Sequence, residues 1–86
     1  MKEFKFTVTD PVGIHARPAG LLVKAVKEHA STVMIENKDG KAADAKKLLA
    51  LMGLGIKQGD EITVKVDGAD EDAAAAAIEA FLKENL

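Results

Sequence analysis

Segments with the two-residue hydrophobic repeat of a strand alternate along this chain with segments that have the repeat of a helix. The order of these segments constrains its fold more than any other feature. Apolar and polar residues alternate at 3–8 and again at 62–66, which predicts two half-buried strands. Apolar residues spaced three and four positions apart predict an amphipathic helix over 16–28. Strand patterns and helix patterns therefore follow one another within a few residues, which favours a sheet covered by helices.

Shorter segments complete this pattern. A second strand is predicted around Val33, and a turn containing Gly40 leads into a short third strand at 41–44. A short helix is predicted at 46–52 and a last helix at 70–84. The resulting order is βαββαβα, and we expect an α+β fold with an antiparallel sheet and the helices on one face.

The last helix contains the alanine run 73–77, which favours a helix without burying much area. Asp70 or a neighbouring residue is expected to cap it. Five of its apolar residues are expected to form the buried stripe: Ala73, Ala77 and Phe81, with Ala74 and Ile78 beside them.

The size and composition of the chain exclude several kinds of protein and of binding site. The 86 residues predict a single domain over 1–86. A formal net charge of −2, with no block of like charge, argues against binding to nucleic acid or to an anionic membrane. The absence of cysteine excludes disulfides and thiolate metal sites. No apolar run approaches the ~20 residues of a membrane helix, and the N-terminus lacks a secretory segment, so we expect a cytoplasmic protein without membrane insertion.

The segment from Gly13 to Pro18 carries the chemistry. His15 lies just before the predicted helix, where unpaired backbone N–H groups and the helix dipole favour an anion. Arg17 adds planar donors that suit a phosphoryl group. The positive helix end disfavours the imidazolium form, which leaves a nucleophilic imidazole beside a phosphate site. A histidine before a helix is also common as an ordinary polar residue, and Arg17 and Pro18 are what favour the functional interpretation.

Residues 13–19, Gly-Ile-His-Ala-Arg-Pro-Ala, resemble the active-site signature of the HPr family, the histidine-containing phosphocarriers of the bacterial phosphotransferase system. The resemblance continues over nearly the whole chain, through segments at 40–41, 48–56, 59–64 and 68–71. It implies an open-faced β-sandwich in which three helices cover a four-stranded antiparallel sheet.

The resemblance also implies a function. His15 would accept a phosphoryl group on Nδ1 from phosphorylated enzyme I and pass it to enzyme IIA proteins. Arg17 matches the basic residue of the family's site, and the backbone of Ala16 and Arg17 would cradle the phosphoryl group. We expect a carrier rather than a complete enzyme, with no cofactor and no metal, and a monomer in solution.

A partner-binding surface is expected beside the active-site helix. Its predicted members are Gly20, Leu21, Lys24, Leu48, Leu49 and Met52. A short helix in so small a domain cannot bury its whole apolar face, so we expect at least two of its three large apolar residues to be exposed. Lysines at 24, 27, 46 and 47 would border this surface and attract acidic partners. The alternatives are that the apolar residues belong to the core and that the lysines are merely solvated.

Two residues depart from patterns within the family. Many members have a serine or asparagine just before the active-site glycine, where its side chain can hydrogen-bond locally, and this chain has Val12 there. Some members carry a regulatory serine at the start of the short second helix, and this chain has Lys47 there. The only serine is Ser31, on a different part of the chain, so regulation by a seryl kinase is not expected. A regulatory paralogue of the same fold remains an alternative function. A small nucleic-acid-binding domain is another, although the chain lacks the strand aromatics and basic stripe that such a domain needs.

Overall fold

Four strands and three helices form the part of the chain that the computed structural model describes, which is residues 1–11 and 16–86. Their order confirms the predicted βαββαβα succession. The bounds are β1 (Lys2–Thr7), α1 (Ala16–Lys27), β2 (Thr32–Glu36), β3 (Ala42–Asp44), α2 (Leu48–Met52), β4 (Glu61–Asp67) and α3 (Glu71–Asn85).

The four strands form one antiparallel sheet in the order β1-β4-β2-β3. In its register, Val64 of β4 lies between Phe4 of β1 and Ile35 of β2. Because β4 has neighbours on both sides, its alternating apolar residues Ile62 and Val64 are fully buried. The confirmed fold is an open sheet with three helices, and the helices cover the face that carries these residues.

The helix α1 buries one side of its amphipathic pattern. Ala19, Leu22 and Val26 are inaccessible to solvent and join the core formed with the sheet. The opposite side of α1 is exposed at Leu21 and Lys24. None of the helices in the described residues is long and apolar enough to cross a membrane.

The buried side of α3 differs in part from its prediction. Ala74 and Ile78 are buried as expected, and Phe81 is partly buried against the core. Ala73 and Ala77 are exposed, so the prediction is wrong for these two residues. The phase of the helix is set by Ile78 together with Leu82, which is also buried, because these side chains have more apolar area to remove from water than an alanine has.

Asp70 precedes α3 as expected of a cap, but its carboxylate makes no hydrogen bond to this helix. It instead accepts hydrogen bonds from the amides of Ala30 (3.1 Å) and Ser31 (2.9 Å) and from the Ser31 hydroxyl. The Nδ1 atom of His29 lies 3.3 Å from the same carboxylate. The Ser31 hydroxyl, followed by these other donors, stabilises the charged form and lowers the pKa of Asp70 to about 2. Asp70 thus ties the loop after α1 to the start of α3.

Candidate functional site

The central residue of the predicted site lies outside the described residues. The structure describes the chain up to Pro11 and again from Ala16, and Gly13, Ile14 and His15 fall between. Of Ala16, only the backbone is described. What can be built from the structure is therefore the surroundings of this segment, beginning with the helix that follows it.

The helix α1 begins at Ala16, directly after His15 in the sequence. Its first turn contains no acidic residue. The N–H groups of a first turn have no partner within their helix, and they form the positive end of the helix dipole. Pro18 is buried in this turn, where its missing N–H removes no helical hydrogen bond. The helix α1 therefore has a positive electrostatic potential at its first residue.

Arg17 reinforces that potential. Its side chain is exposed and forms no ion pair with any side chain that the structure describes. A guanidinium without an internal partner keeps all of its donors for an external anion. The structure thus supplies Arg17 in a state that suits the predicted phosphoryl site.

Four large apolar residues of α1 and α2 are exposed, and we call them the apolar patch. Their exposed fractions are 46% for Leu21, 38% for Leu48, 82% for Leu49 and 39% for Met52. The two helices that carry these residues pack against each other. This confirms the prediction that at least two of the apolar residues of the short helix are exposed. Gly20 is half-buried, with open space beside its Cα.

Four lysines lie near the apolar patch in the sequence, two on α1 and two just before α2, and none has an acidic partner among the described side chains. Lys24, Lys27 and Lys47 are exposed and Lys46 is half-buried, and no described acidic side chain forms an ion pair with any of them. Lysines in other regions do pair, as Lys65 does with Glu36 and Glu3. The charge of these four lysines is therefore available to a partner.

Lys47 is the residue that precedes α2. Its backbone is extended, and its side chain makes no capping hydrogen bond. This places it at the start of the short helix, as its alignment with the family's regulatory serine requires. Ser31 cannot substitute for that serine on the folded protein, because it is 1% exposed and its hydroxyl donates to Asp70.

The surface built from these groups is open rather than concave. The described residues form no detectable pocket. They also contain no group of three or more side chains able to hold a metal ion. Among the described residues, the arrangement offers a positive helix end, a guanidinium that no described side chain pairs with, and exposed apolar residues with lysines near them in the sequence.

Known proteins are similar to this chain in sequence and in fold. Residues 2–84 match the sequence model of a family described as PTS HPr component phosphorylation site. The phosphocarrier protein HPr of Mycoplasma genitalium is 45% identical over 85 residues, which are 99% of this chain and 97% of the relative. A crystal structure of HPr-C-His from Thermoanaerobacter tengcongensis matches with a TM-score of 0.92 at 33% identity, covering 99% of this chain and 94% of that one.

A third similar protein is Crh of Bacillus subtilis, a catabolite repression HPr whose crystal structure is described as a swapped dimer. It matches with a TM-score of 0.78 at 36% identity, covering 100% of this chain and 98% of that one. The fold and these matches define a phosphocarrier of the phosphotransferase system. The chain belongs to the HPr family.

Proposed function

We propose that this protein carries a phosphoryl group on Nδ1 of His15, taking it from phosphorylated enzyme I and passing it to enzyme IIA proteins. The observation that carries the proposal is the start of α1, which directly follows His15 in the sequence, has no acidic residue in its first turn, and carries Arg17 without an ion pair to any described side chain. Membership of the HPr family supports the same role.

The transfer needs few groups from this chain. The lone pair of neutral Nδ1 forms a bond to phosphorus while the bond from phosphorus to its donor atom on enzyme I breaks and leaves its electrons there. Positioning and charge stabilisation account for most of the catalysis of phosphoryl transfer. Arg17 and the backbone N–H groups of Ala16 and Arg17 supply stabilisation for the charge of the transferring group. Passing the group to enzyme IIA repeats the displacement with His15 as the leaving group.

The apolar patch and its lysines serve as the docking surface. The partner contributes the rest of the reaction site, so this chain acts as a carrier and not as an enzyme, with no cofactor of its own. Exposed apolar groups bordered by charge are typical of contact surfaces. The unpaired lysines favour partners with acidic residues around an apolar centre. We place this relay in the cytoplasm and expect the carrier to work as a monomer.

A regulatory role is the second candidate, and the similarity to Crh favours it. Such a paralogue would bind a regulatory protein according to its own phosphorylation. The retained His15 and the replacement of the regulatory serine by Lys47 both favour the carrier.

The relay itself is the test. Enzyme I, Mg²⁺, labelled phosphoenolpyruvate and an enzyme IIA are mixed with a catalytic amount of this protein. We expect label on enzyme IIA at many times the amount of carrier present. No label on enzyme IIA, while this protein itself is labelled, would favour the regulatory role. No label on either protein would reject both.

A further inference from the structure

Gly20 is a glycine that the described part of the fold does not require. It lies inside α1, where a glycine lowers the stability of a helix relative to an alanine. A methyl group added to it would meet no described atom within 4 Å outside the adjoining residues and the backbone of its own helix. Its φ is negative, whereas four other glycines have the positive φ that other residues rarely adopt: Gly40, Gly55, Gly59 and Gly68. Neither the backbone conformation nor packing among the described residues therefore explains this glycine.

The open space beside Gly20 lies between two cations on one face of α1. Arg17 precedes Gly20 by three positions and Lys24 follows it by four, and residues with these spacings are neighbours on a helix surface. Both side chains are exposed, and neither forms an ion pair with a described side chain. Leu21, which has the same spacings from these two cations, is 46% exposed. The space is thus bordered by unpaired positive charge and by an apolar side chain.

The chemistry of this border selects what can occupy the space. An acidic side chain has an apolar stem that can lie against the bare backbone, and a carboxylate that a lysine can pair with. In the proposed transfer Arg17 serves the phosphoryl group, so Lys24 is the cation that remains for a carboxylate. Close approach to the backbone is possible only where no Cβ intervenes, which is a general use of glycine.

We infer that Gly20 is a specificity-determining residue for docking, because it leaves room for an aspartate or glutamate side chain of the partner that lies against α1 and pairs with Lys24. This inference rests on the proposed function. It gives stability and binding opposite signs, since an alanine at this position improves the helix and fills the space. A glycine kept by the fold alone would lower the stability when replaced.

The first experiment compares full-length variants in thermal unfolding and in calorimetric titration with enzyme I. Gly20→Ala should raise Tm by about 4 °C and weaken binding by about 5-fold. Gly20→Gln, which adds a longer neutral side chain, should weaken binding by about 20-fold with Tm no lower than that of the unchanged protein. Ala77→Gln is the matched control, because Ala77 is an exposed residue of α3, and it should bind normally.

The second experiment tests whether the occupant is a carboxylate. Lys24→Gln should weaken binding by about 5-fold in the unchanged protein and by less than about 2-fold in Gly20→Ala, where the partner's side chain is already displaced. Lys27→Gln is the control, since Lys27 is also exposed and unpaired but lies two turns beyond Gly20. Its effect on binding should be the same in both backgrounds.

A lower Tm for Gly20→Ala would overturn the inference, because the fold itself would then require the glycine. Normal binding by both Gly20 variants would overturn it as well. Equal effects of Lys24→Gln in the two backgrounds would overturn the pairing of Lys24 with a carboxylate over Gly20. If the unchanged protein binds neither enzyme I nor an enzyme IIA, the proposed function fails and this inference fails with it, whereas normal binding by the unchanged protein and by Gly20→Gln rejects the inference alone.

Discussion

The two ends of α1 differ in how their polar and apolar groups are satisfied. At the first turn, Arg17 is exposed and has no partner among the described residues, and Leu21, one turn later, is 46% exposed. Beyond the last turn, the loop containing His29 and Ser31 is bound to the carboxylate of Asp70 by several hydrogen bonds, and Ser31 is buried. The first turns of α1 thus carry exposed groups that no described residue contacts through a hydrogen bond or ion pair. The loop after its last turn has its polar groups bound within the protein.

This difference separates groups that act from groups that hold the fold. Buried polar groups that are fully hydrogen-bonded, as around Asp70, stabilise the folded state when they are left intact. Charges and apolar side chains without internal partners add little to stability and remain available to other proteins. Substitutions at the two ends should therefore affect different measurements, binding and transfer at one end and unfolding at the other.

The largest effect is expected at the apolar patch. Leu49→Asp should weaken binding to enzyme I and to enzyme IIA by about 30-fold, because the loss of a central apolar contact costs ~2 kcal/mol or more. Its thermal unfolding should change little, since Leu49 is 82% exposed and an acidic residue is tolerated in the first turn of a helix. Calorimetric titration and a thermal scan give the two values.

The control for this variant is Ala76→Asp, which adds the same charge at an exposed position of α3. It should bind both partners normally. Equal losses in the two variants would mean that added charge, and not the apolar patch, governs binding. If Leu49→Asp unfolds while its folded fraction binds normally, Leu49 belongs to the core.

Arg17 comes next in size. Arg17→Ala should slow phosphoryl transfer by ~10-fold or more, which corresponds to ~1.4 kcal/mol of lost transition-state stabilisation. Arg17→Lys should recover only part of the rate, because an ammonium group lacks the planar fork of the guanidinium. Rapid-quench measurement of label transfer gives these rates, and Lys83→Ala removes a distant cation as the control. A rate for Arg17→Ala equal to that of the control would remove Arg17 from the site.

The opposite end of α1 should respond in stability. Ser31→Ala removes a buried hydroxyl that donates to Asp70 and should lower Tm by about 5 °C, since the loss of one such hydrogen bond costs ~1 kcal/mol in a domain of this size. The transfer rate should not change. Thr32→Val, which removes an exposed hydroxyl from the next residue, should leave Tm nearly unchanged. A slower transfer with an unchanged Tm would reverse the assignment of the two ends.

The same variant predicts a pH dependence. The pKa of Asp70 is lowered from 3.8 to about 2 in the folded protein, chiefly by the Ser31 hydroxyl. The stability that this carboxylate contributes is therefore fully present above about pH 4 and is lost as the pH falls towards 2. Thermal scans across this window should show a shallower loss of Tm for Ser31→Ala than for the unchanged protein. Parallel curves would mean that Ser31 does not stabilise the charged form of Asp70.

The smallest effect is expected at Lys47. An active HPr kinase with ATP should add no phosphate to this protein, because position 47 carries no hydroxyl and Ser31 is buried. Intact-mass measurement checks this directly. A gain of one acid-stable phosphate would contradict it. Lys47→Ser tests in the same way whether the surrounding residues still form a site for the kinase.

Much of the fold follows from local patterns in the sequence. β4 alternates apolar and polar residues because its helix-facing residues are fully buried, and its position follows from this alternation. The buried side of α3 is harder to predict from the sequence, because its alanines have the same small apolar area on every side of the helix. The larger Ile78 and Leu82 determine which side is buried. The sheet order was also not predicted, since alternation does not specify which strands are neighbours.

The sequence predicted some parts of the candidate site and missed other contacts, for a similar physical reason. The motif around His15 and the exposed apolar residues of the short helix are local features, and both can be found in the sequence. The hydrogen bond from the Thr9 hydroxyl to the Leu86 oxygen spans 77 positions, and neither residue has a distinctive local pattern. Asp70 precedes α3 as predicted for a cap, but the acceptor role of its carboxylate towards Ser31 spans 39 positions and has no local signal in the sequence. Contacts between distant residues of ordinary type are what sequence patterns do not reveal.

The most direct test of this account is to locate the phosphoryl group. The unchanged protein and His15→Ala are incubated with enzyme I, Mg²⁺ and labelled phosphoenolpyruvate, and intact mass and phosphorus NMR are recorded. We expect one acid-labile, base-stable phosphoryl group on Nδ1 of His15 in the unchanged protein and none in His15→Ala. Stoichiometric label on His15→Ala would contradict it and would direct attention to His29, the other histidine of the chain.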